Sequence, residues 1–147
     1  MTEKYIHGIN KYRHRYFEEK LKDIKINFPE GPYLTKIYEA KVIKMNQLTS
    51  SLQFHKSHST RAIQELARHH YILKEIDPED QRGYILSITK EGEAVAKLVL
   101  KVIYDWESLI SSAISDEEKI VIENIQLKIF NKVRNYFNED SQDDKNL

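Results

Sequence analysis

No cysteine occurs anywhere in the 147 residues, which excludes disulfides, thiolate metal sites and a cysteine-based oxidation sensor together. Chain breakers are scarce too, with four glycines and three prolines. Three of those seven residues crowd into Pro29-Glu30-Gly31-Pro32, so long helices are expected, with a turn at that cluster. Net charge is also lacking, because 23 Lys plus Arg balance 23 Asp plus Glu. Such a chain does not coat nucleic acid by bulk attraction, although a local basic face remains open to it. The opening Met-Thr-Glu-Lys carries no apolar run of the signal-peptide kind. The most apolar stretch, residues 95–106, is broken by Lys97, Lys101 and Asp105, so nothing is expected to span a bilayer. A soluble cytoplasmic protein is the expectation. Gly-rich phosphate loops and the GxSxG elbow are missing as well, and the carboxylates fall at helix caps, turns and outer faces, so no enzyme is expected.

What is present is periodic. Over residues 5–24 the apolar positions Tyr5, Ile6, Ile9, Tyr12, Tyr16, Phe17, Leu21 and Ile24 follow the three-or-four spacing of one helix face. Residues 28–31 end that helix. Pro32 suits the first turn of a second one, where its missing N–H would have had no partner. This second helix is read as carrying Leu34, Ile37, Tyr38 and Val42 inward. Residues 47–54, with Leu48 and Leu52 at i and i+4, predict a short helix. His55-Lys56-Ser57 interrupts, and Ser57 is read as the N-cap of a helix over residues 59–69. There Ile63 and Leu66 face a core, while Thr60, Arg61 and Gln64 face the other way. A short helix, a tight turn and a second helix with a polar outer face form a helix-turn-helix.

The period then changes. Residues 72–76 and 84–88 read as two short strands around the turn-rich loop 77–83, a hairpin with a charged tip. Thr89 is placed to cap a helix running to about residue 114, whose stripe includes Val95, Val99, Val102 and Trp106. Ser115-Asp116-Glu117-Glu118 fits a capping box. A last helix follows, with Ile122, Ile125, Ile129, Val133, Tyr136 and Phe137 on one side.

Residues 48–92 resemble the MarR family of winged-helix regulators. Leu48-Thr49-Ser50-Ser51-Leu52, Lys56-Ser57, Thr60-Arg61, Leu66 and Ile72 follow the family's helix-turn-helix. Asp80-Gln81-Arg82 with Leu86, Thr89 and Gly92 matches its wing signature, Asp-x-Arg and a later Thr-x-x-Gly. Three positions depart from the pattern: His70 stands where the family has glycine, His55 where it often has an acidic residue, and Ser59 where it has an apolar one. His is among the few non-Gly residues that tolerate a left-handed backbone, so the turn at His70 is expected to survive.

The resemblance implies a mainly α fold with a small β-hairpin wing: one domain over residues 1–147. Residues 30–90 would form the winged helix-turn-helix part, 1–29 and 91–138 the dimerisation helices, and 139–147 a disordered acidic tail. Its implied role is a sequence-specific regulator that binds double-stranded DNA as a homodimer on a pseudopalindromic operator, a repressor released by a small phenolic or anionic ligand. The DNA-binding residues would be Lys56, Ser57, His58, Thr60, Arg61 and Gln64 on the recognition helix, with Asp80 and Arg82 in the wing. Arg61 and Gln64 suit guanine and adenine edges in the major groove. Lys56 and Ser57 suit a phosphate at the helix N-terminus, and Arg82 suits the minor groove, held by Asp80. Tyr12, Arg13, Tyr16, Tyr33 and Tyr38 are candidate effector liners, and equally a core with hydroxyls at its rim. The alternative function is a winged-helix protein-interaction module without specific DNA binding. Neither cofactor nor metal is expected: His69 and His70 point about 100° apart on a helix, and no carboxylate completes a set with His55 or His58. His7 and His14, seven apart on the first helix, are a weak pair.

Overall fold

The computed structural model describes residues 3–52 and 56–137, apart from the side chains of Lys56 and Ser57. The expected acidic tail at 139–147 and His55, one of the departures from the family pattern, lie outside the described residues. In chain order come α1 (Glu3–Leu21), a 3-10 turn (Phe28–Glu30), α2 (Gly31–Ala40), β1 (Val42–Lys44), α3 (Met45–Leu52), α4 (Lys56–Arg68), β2 (Ile72–Asp77), β3 (Asp80–Ile88), α5 (Lys90–Ser111) and α6 (Asp116–Tyr136). The chain divides after Tyr104 into two units, Met1–Tyr104 and Asp105–Leu147. The fold is mainly helical with one small sheet, as the periodicity implies. Among the described residues no helix is long and apolar enough to cross a membrane.

The breaker cluster acts where it was expected. Glu30 is buried, and its carboxylate accepts the Asn27 backbone N–H at 2.8 Å and the Asn27 side-chain amide at 3.2 Å. Pro32 then sits in the first turn of α2. Around this elbow Phe17 and Phe28 meet edge to face, with ring centroids 5.2 Å apart.

α2 ends earlier than expected. Lys41 adopts φ 65°, the chain extends, and Val42, read as an inward helical residue, stands exposed in β1. β1 pairs antiparallel with β3 (Val42 with Ser87, Lys44 with Ile85), giving the sheet order β1-β3-β2. The physical reason is that β-branched Val42 and Ile43 can satisfy their backbone groups on the free edge of β3, which a helix continued past Lys41 would leave open. The sheet closes over one core of the first unit, where Tyr33, Leu34 and Ile37 from α2, Leu48 from α3, Ile63 and Leu66 from α4, Ile72 and Leu86 from the sheet and Val99 from α5 are all buried.

The two C-terminal caps form as read. Thr89 Oγ1 accepts the Gly92 N–H at 2.9 Å and donates to the carbonyls of His70 and Tyr71. Gly92 is needed here, because a Cβ at that position would stand 1.9 Å from the Tyr71 carbonyl oxygen. Ser115 and Glu118 exchange both bonds of the capping box, at 2.8 and 3.2 Å.

Candidate nucleic-acid interface

The site rests on α4 and the β2–β3 hairpin, both in the first unit. α4 begins at Lys56, three residues before the expected start, so Ser57 lies within its first turn and not at its cap. Helix ends shift in this way when several polar residues in a row can each open the first turn. Ser59, Ala62, Ile63 and Leu66 are buried, and at 100° per residue they span an arc of about 100°. His58, Arg61 and Gln64 are exposed on the remaining arc, beside the half-buried Thr60. The helix thus presents two hydroxyl or amide groups, an imidazole and one long cation from a rigid surface. At its far end Arg68 bonds Glu65 at 2.6 Å, holding the Glu65 carboxyl below its usual range and the guanidinium above its own.

Ser59 is the position where sequence reasoning noted an unusual polar residue without giving it a role. Its hydroxyl lies 3.0 Å from the Tyr33 hydroxyl on α2, and both residues are almost wholly buried, 0% and 2% exposed.

After α4, His70 takes φ 60°, the left-handed turn for which its side chain is tolerated in place of glycine. The chain enters β2 and returns through β3. The paired ladder runs further than the expected strands: Asp77 pairs with Asp80 across a two-residue turn at Pro78 and Glu79. A shift of register follows, because Ile76 pairs with Tyr84, and Gln81, Arg82 and Gly83 stand between these two pairs. Asp80 and Arg82 therefore sit on an exposed, irregular part of a strand and not in a long loop. Among the described contacts Asp80 takes the Arg82 backbone N–H, at 3.0 Å, and not its guanidinium. That bond shapes the bulge and leaves the direction of the Arg82 head to other partners.

The hairpin is tied at its turn by a cluster that was not foreseen. Asp77, 3% exposed, accepts the Glu79 backbone N–H at 2.9 Å and receives Lys44 Nζ of β1 at 3.2 Å. Lys44 also reaches Glu79 at 2.8 Å. The Glu79 amide first and Lys44 second hold the Asp77 carboxyl below the usual aspartate range. Glu79 first and Asp77 second raise the Lys44 ammonium above its usual value. A signal was available in the sequence, an Asp-Pro-Glu turn, but the partner lysine comes from a strand that only the folded sheet brings close.

The five candidate effector liners stand in different surroundings. Tyr33 is core; Tyr12 is 64% exposed; Tyr16 lies under Lys20, and Tyr38 under Lys41 at 4.1 Å. Arg13 spreads over Phe17 and Phe28 at 5.8 and 5.7 Å. Beside that pair is a cavity of about 240 Å3, lined by Phe17, Leu21, Ile24, Ile26 and Phe28 with Glu18, Lys22 and Asn27. Among the described residues no group of three or more His, Asp or Glu is placed to hold a metal ion.

Comparison with known proteins meets this geometry from outside. The MarR family matches residues 26–84, from the elbow through the first part of β3. The HTH-type transcriptional regulator BilQ of Clostridioides difficile is 29% identical over 113 residues, 76% of either chain. A MarR protein from Peptoclostridium difficile superposes with a TM-score of 0.84 at 26% identity, covering 92% of this chain and 89% of its own. MepR of S. aureus, solved as a complex with DNA, also reaches 0.84, covering 90% and 98% at 18% identity, a likeness of fold.

Proposed function

We propose that this chain, whose residues 26–84 match the MarR family, is a winged helix-turn-helix transcriptional regulator of that family and binds a pseudopalindromic DNA operator sequence-specifically as a homodimer. The observation that carries this reading is the division of α4: a buried arc of Ser59, Ala62, Ile63 and Leu66 behind an exposed arc of His58, Arg61 and Gln64. An α-helix fits the major groove, where Arg pairs with guanine and Gln with adenine in bidentate fashion. Thr60 and the N-terminal residues Lys56 and Ser57 position the helix on phosphates. Arg82, on the exposed bulge shaped by Asp80, enters the adjacent minor groove, whose negative potential attracts a guanidinium. MepR, a neighbour in fold solved as a complex with DNA, supports a DNA-binding reading.

The second copy is called for by uncovered apolar surface. On α6 Ile122, Ile125, Ile129, Val133 and Tyr136 are exposed, and no residue of that helix is buried. On α1 Tyr5, Ile6, Ile9 and Tyr12 are exposed as well. Stripes of this length favour a self-complementary partner. We propose further that the protein is a repressor released by a small phenolic or anionic effector, and that the cavity beside Phe17 and Phe28, not the five candidate side chains, receives the ring. About 150 Å3 suffices for benzene.

Fluorescence anisotropy with duplexes selected from a random pool tests the DNA reading. A nanomolar affinity for the selected duplex that falls steeply as salt rises from about 50 to 200 mM is expected. Failure to enrich any duplex would overturn it in favour of the protein-interaction module. A melting-temperature shift with 4-hydroxybenzoate, lost in Phe28→Ala, tests the effector.

A further inference from the structure

We infer that the buried Tyr33–Ser59 hydrogen bond is a positioning device that fixes the roll of α4 about its own axis, and so sets how sharply the protein distinguishes its operator from other DNA. The inference rests on the DNA reading of α4. Ala62, Ile63 and Leu66 pack α4 onto the core, but apolar packing is non-directional and tolerates rotation. A hydrogen bond between two hydroxyls does not, because it weakens steeply as its angle departs from linearity. Tyr33 is the right residue to impose this constraint. Its side chain is buried in the core, and its hydroxyl meets Ser59 at 3.0 Å. Ser59 lies between His58 and Thr60, two residues before Arg61 and five before Gln64, so its orientation is passed directly to the outward arc.

The magnitude decides that such a constraint matters. A roll of about 20° carries a group roughly 6 Å from the helix axis through about 2 Å. Recognition needs placement within about 0.5 Å. Contacts to phosphate, made by long flexible side chains, absorb that error; bidentate contacts to base edges do not. Loss of the bond is therefore read in discrimination more than in overall attraction.

The experiment uses the full chain with Tyr33→Phe, Ser59→Ala and the double substitution. Affinity is measured at one salt concentration for the duplex that the unaltered protein selects from a random pool, and for poly(dI-dC). Melting temperature and active fraction are recorded for each variant. Each single substitution leaves one hydroxyl without this partner, and the ratio of operator to non-specific affinity is expected to fall about five- to tenfold. Non-specific affinity stays within about twofold, and the double variant loses less than the product of the singles. An unchanged ratio in either folded single variant overturns the inference. A parallel fall of both affinities with the melting temperature also overturns it, since a merely structural bond acts that way. If Tyr33→Phe fails to fold, Ser59→Ala, which only removes an oxygen, decides alone. Absence of any preference in the unaltered protein defeats the DNA reading itself, a result distinct from these.

Discussion

At the level of single residues, backbone conformation gives the most direct tests. His70 holds a left-handed backbone, φ 60°, at the exit of α4. That conformation costs a residue with a Cβ about 1–2 kcal/mol, against roughly 0.5–1 kcal/mol of extra chain entropy for glycine. His70→Gly is therefore expected to leave stability unchanged or raise it by up to about 1 kcal/mol, read as a urea midpoint that does not fall. Gly92 works in the opposite sense. A methyl there would overlap the Tyr71 carbonyl at 1.9 Å and approach Ile88 Cδ1 at 2.9 Å, so α5 would have to move off the α4–β2 turn. Gly92→Ala should cost about 1–3 kcal/mol even though alanine is the better helix former by about 1 kcal/mol, and a midpoint that rises would refute the close approach. Arg82 is exposed on the bulge of β3. Arg82→Ala is expected to weaken operator binding about tenfold or more, as loss of a charged groove contact does, with no shift in melting temperature; unchanged affinity at fixed salt would remove Arg82 from the interface.

Among the elements, the wing is where local pattern and long-range pairing part company. Two strands were legible because the period of apolar residues drops from the helical to the alternating one after Tyr71. The length of the tip was not, since Asp80, Gln81, Arg82 and Gly83 all read as turn formers, and only the Asp77–Asp80 pair draws them into a strand. β1 was hidden for a related reason: three residues carry too little periodicity, and their hydrogen bonds go to β3, beyond α3, α4 and β2 in sequence. The division of α4 was legible in outline, Ile63 and Leu66 inward and Arg61 and Gln64 outward, because both arcs are local; the burial of Ser59 was not, since its partner Tyr33 belongs to another helix. The cluster at the wing's turn, invisible in sequence, makes a pH prediction. Asp77 has a depressed folded pKa, so its contribution is complete above the ordinary aspartate value near 3.9 and is lost as pH falls through the lower folded value. Lys44 has a raised one, so its share is complete below about 10.4 and lost as pH climbs through the folded value. The hairpin should be evenly anchored between those limits and loosen at acid pH. In Lys44→Met, a carboxyl-detected NMR titration of Asp77 should show its pKa raised but still below the usual range, because the Glu79 N–H remains. A fully normal pKa would show that Lys44, not the amide, is the main cause.

For the molecule as a whole, the proposed pairing of two copies is what can be tested. α6 carries Ile122, Ile125, Leu127, Ile129, Phe130 and Val133 with none of them buried, although its capping box and acidic first turn mark it as a well-formed helix. A helix so complete in its own bonding and so uncovered in its apolar face supports the proposed dimer, in which a second copy would supply the same face by symmetry. Sedimentation equilibrium at micromolar concentration is expected to give twice the mass of the chain. Ile125→Glu with Ile129→Glu places two carboxylates in that stripe and should yield a monomer whose first unit keeps its own melting transition, because that unit has its own set of buried residues, Phe17 to Val102. DNA binding then separates the contributions. On a single half-site the monomer should bind as the unaltered chain does, since α4 and the wing are untouched. On the full pseudopalindrome it should lose the gain from joined sites, about 10²–10⁴-fold. A double variant that stays dimeric would show that other surfaces make the dimer. One that becomes monomeric yet keeps full operator affinity would show that each copy reads DNA alone, and pairing through α6 would lose its functional meaning.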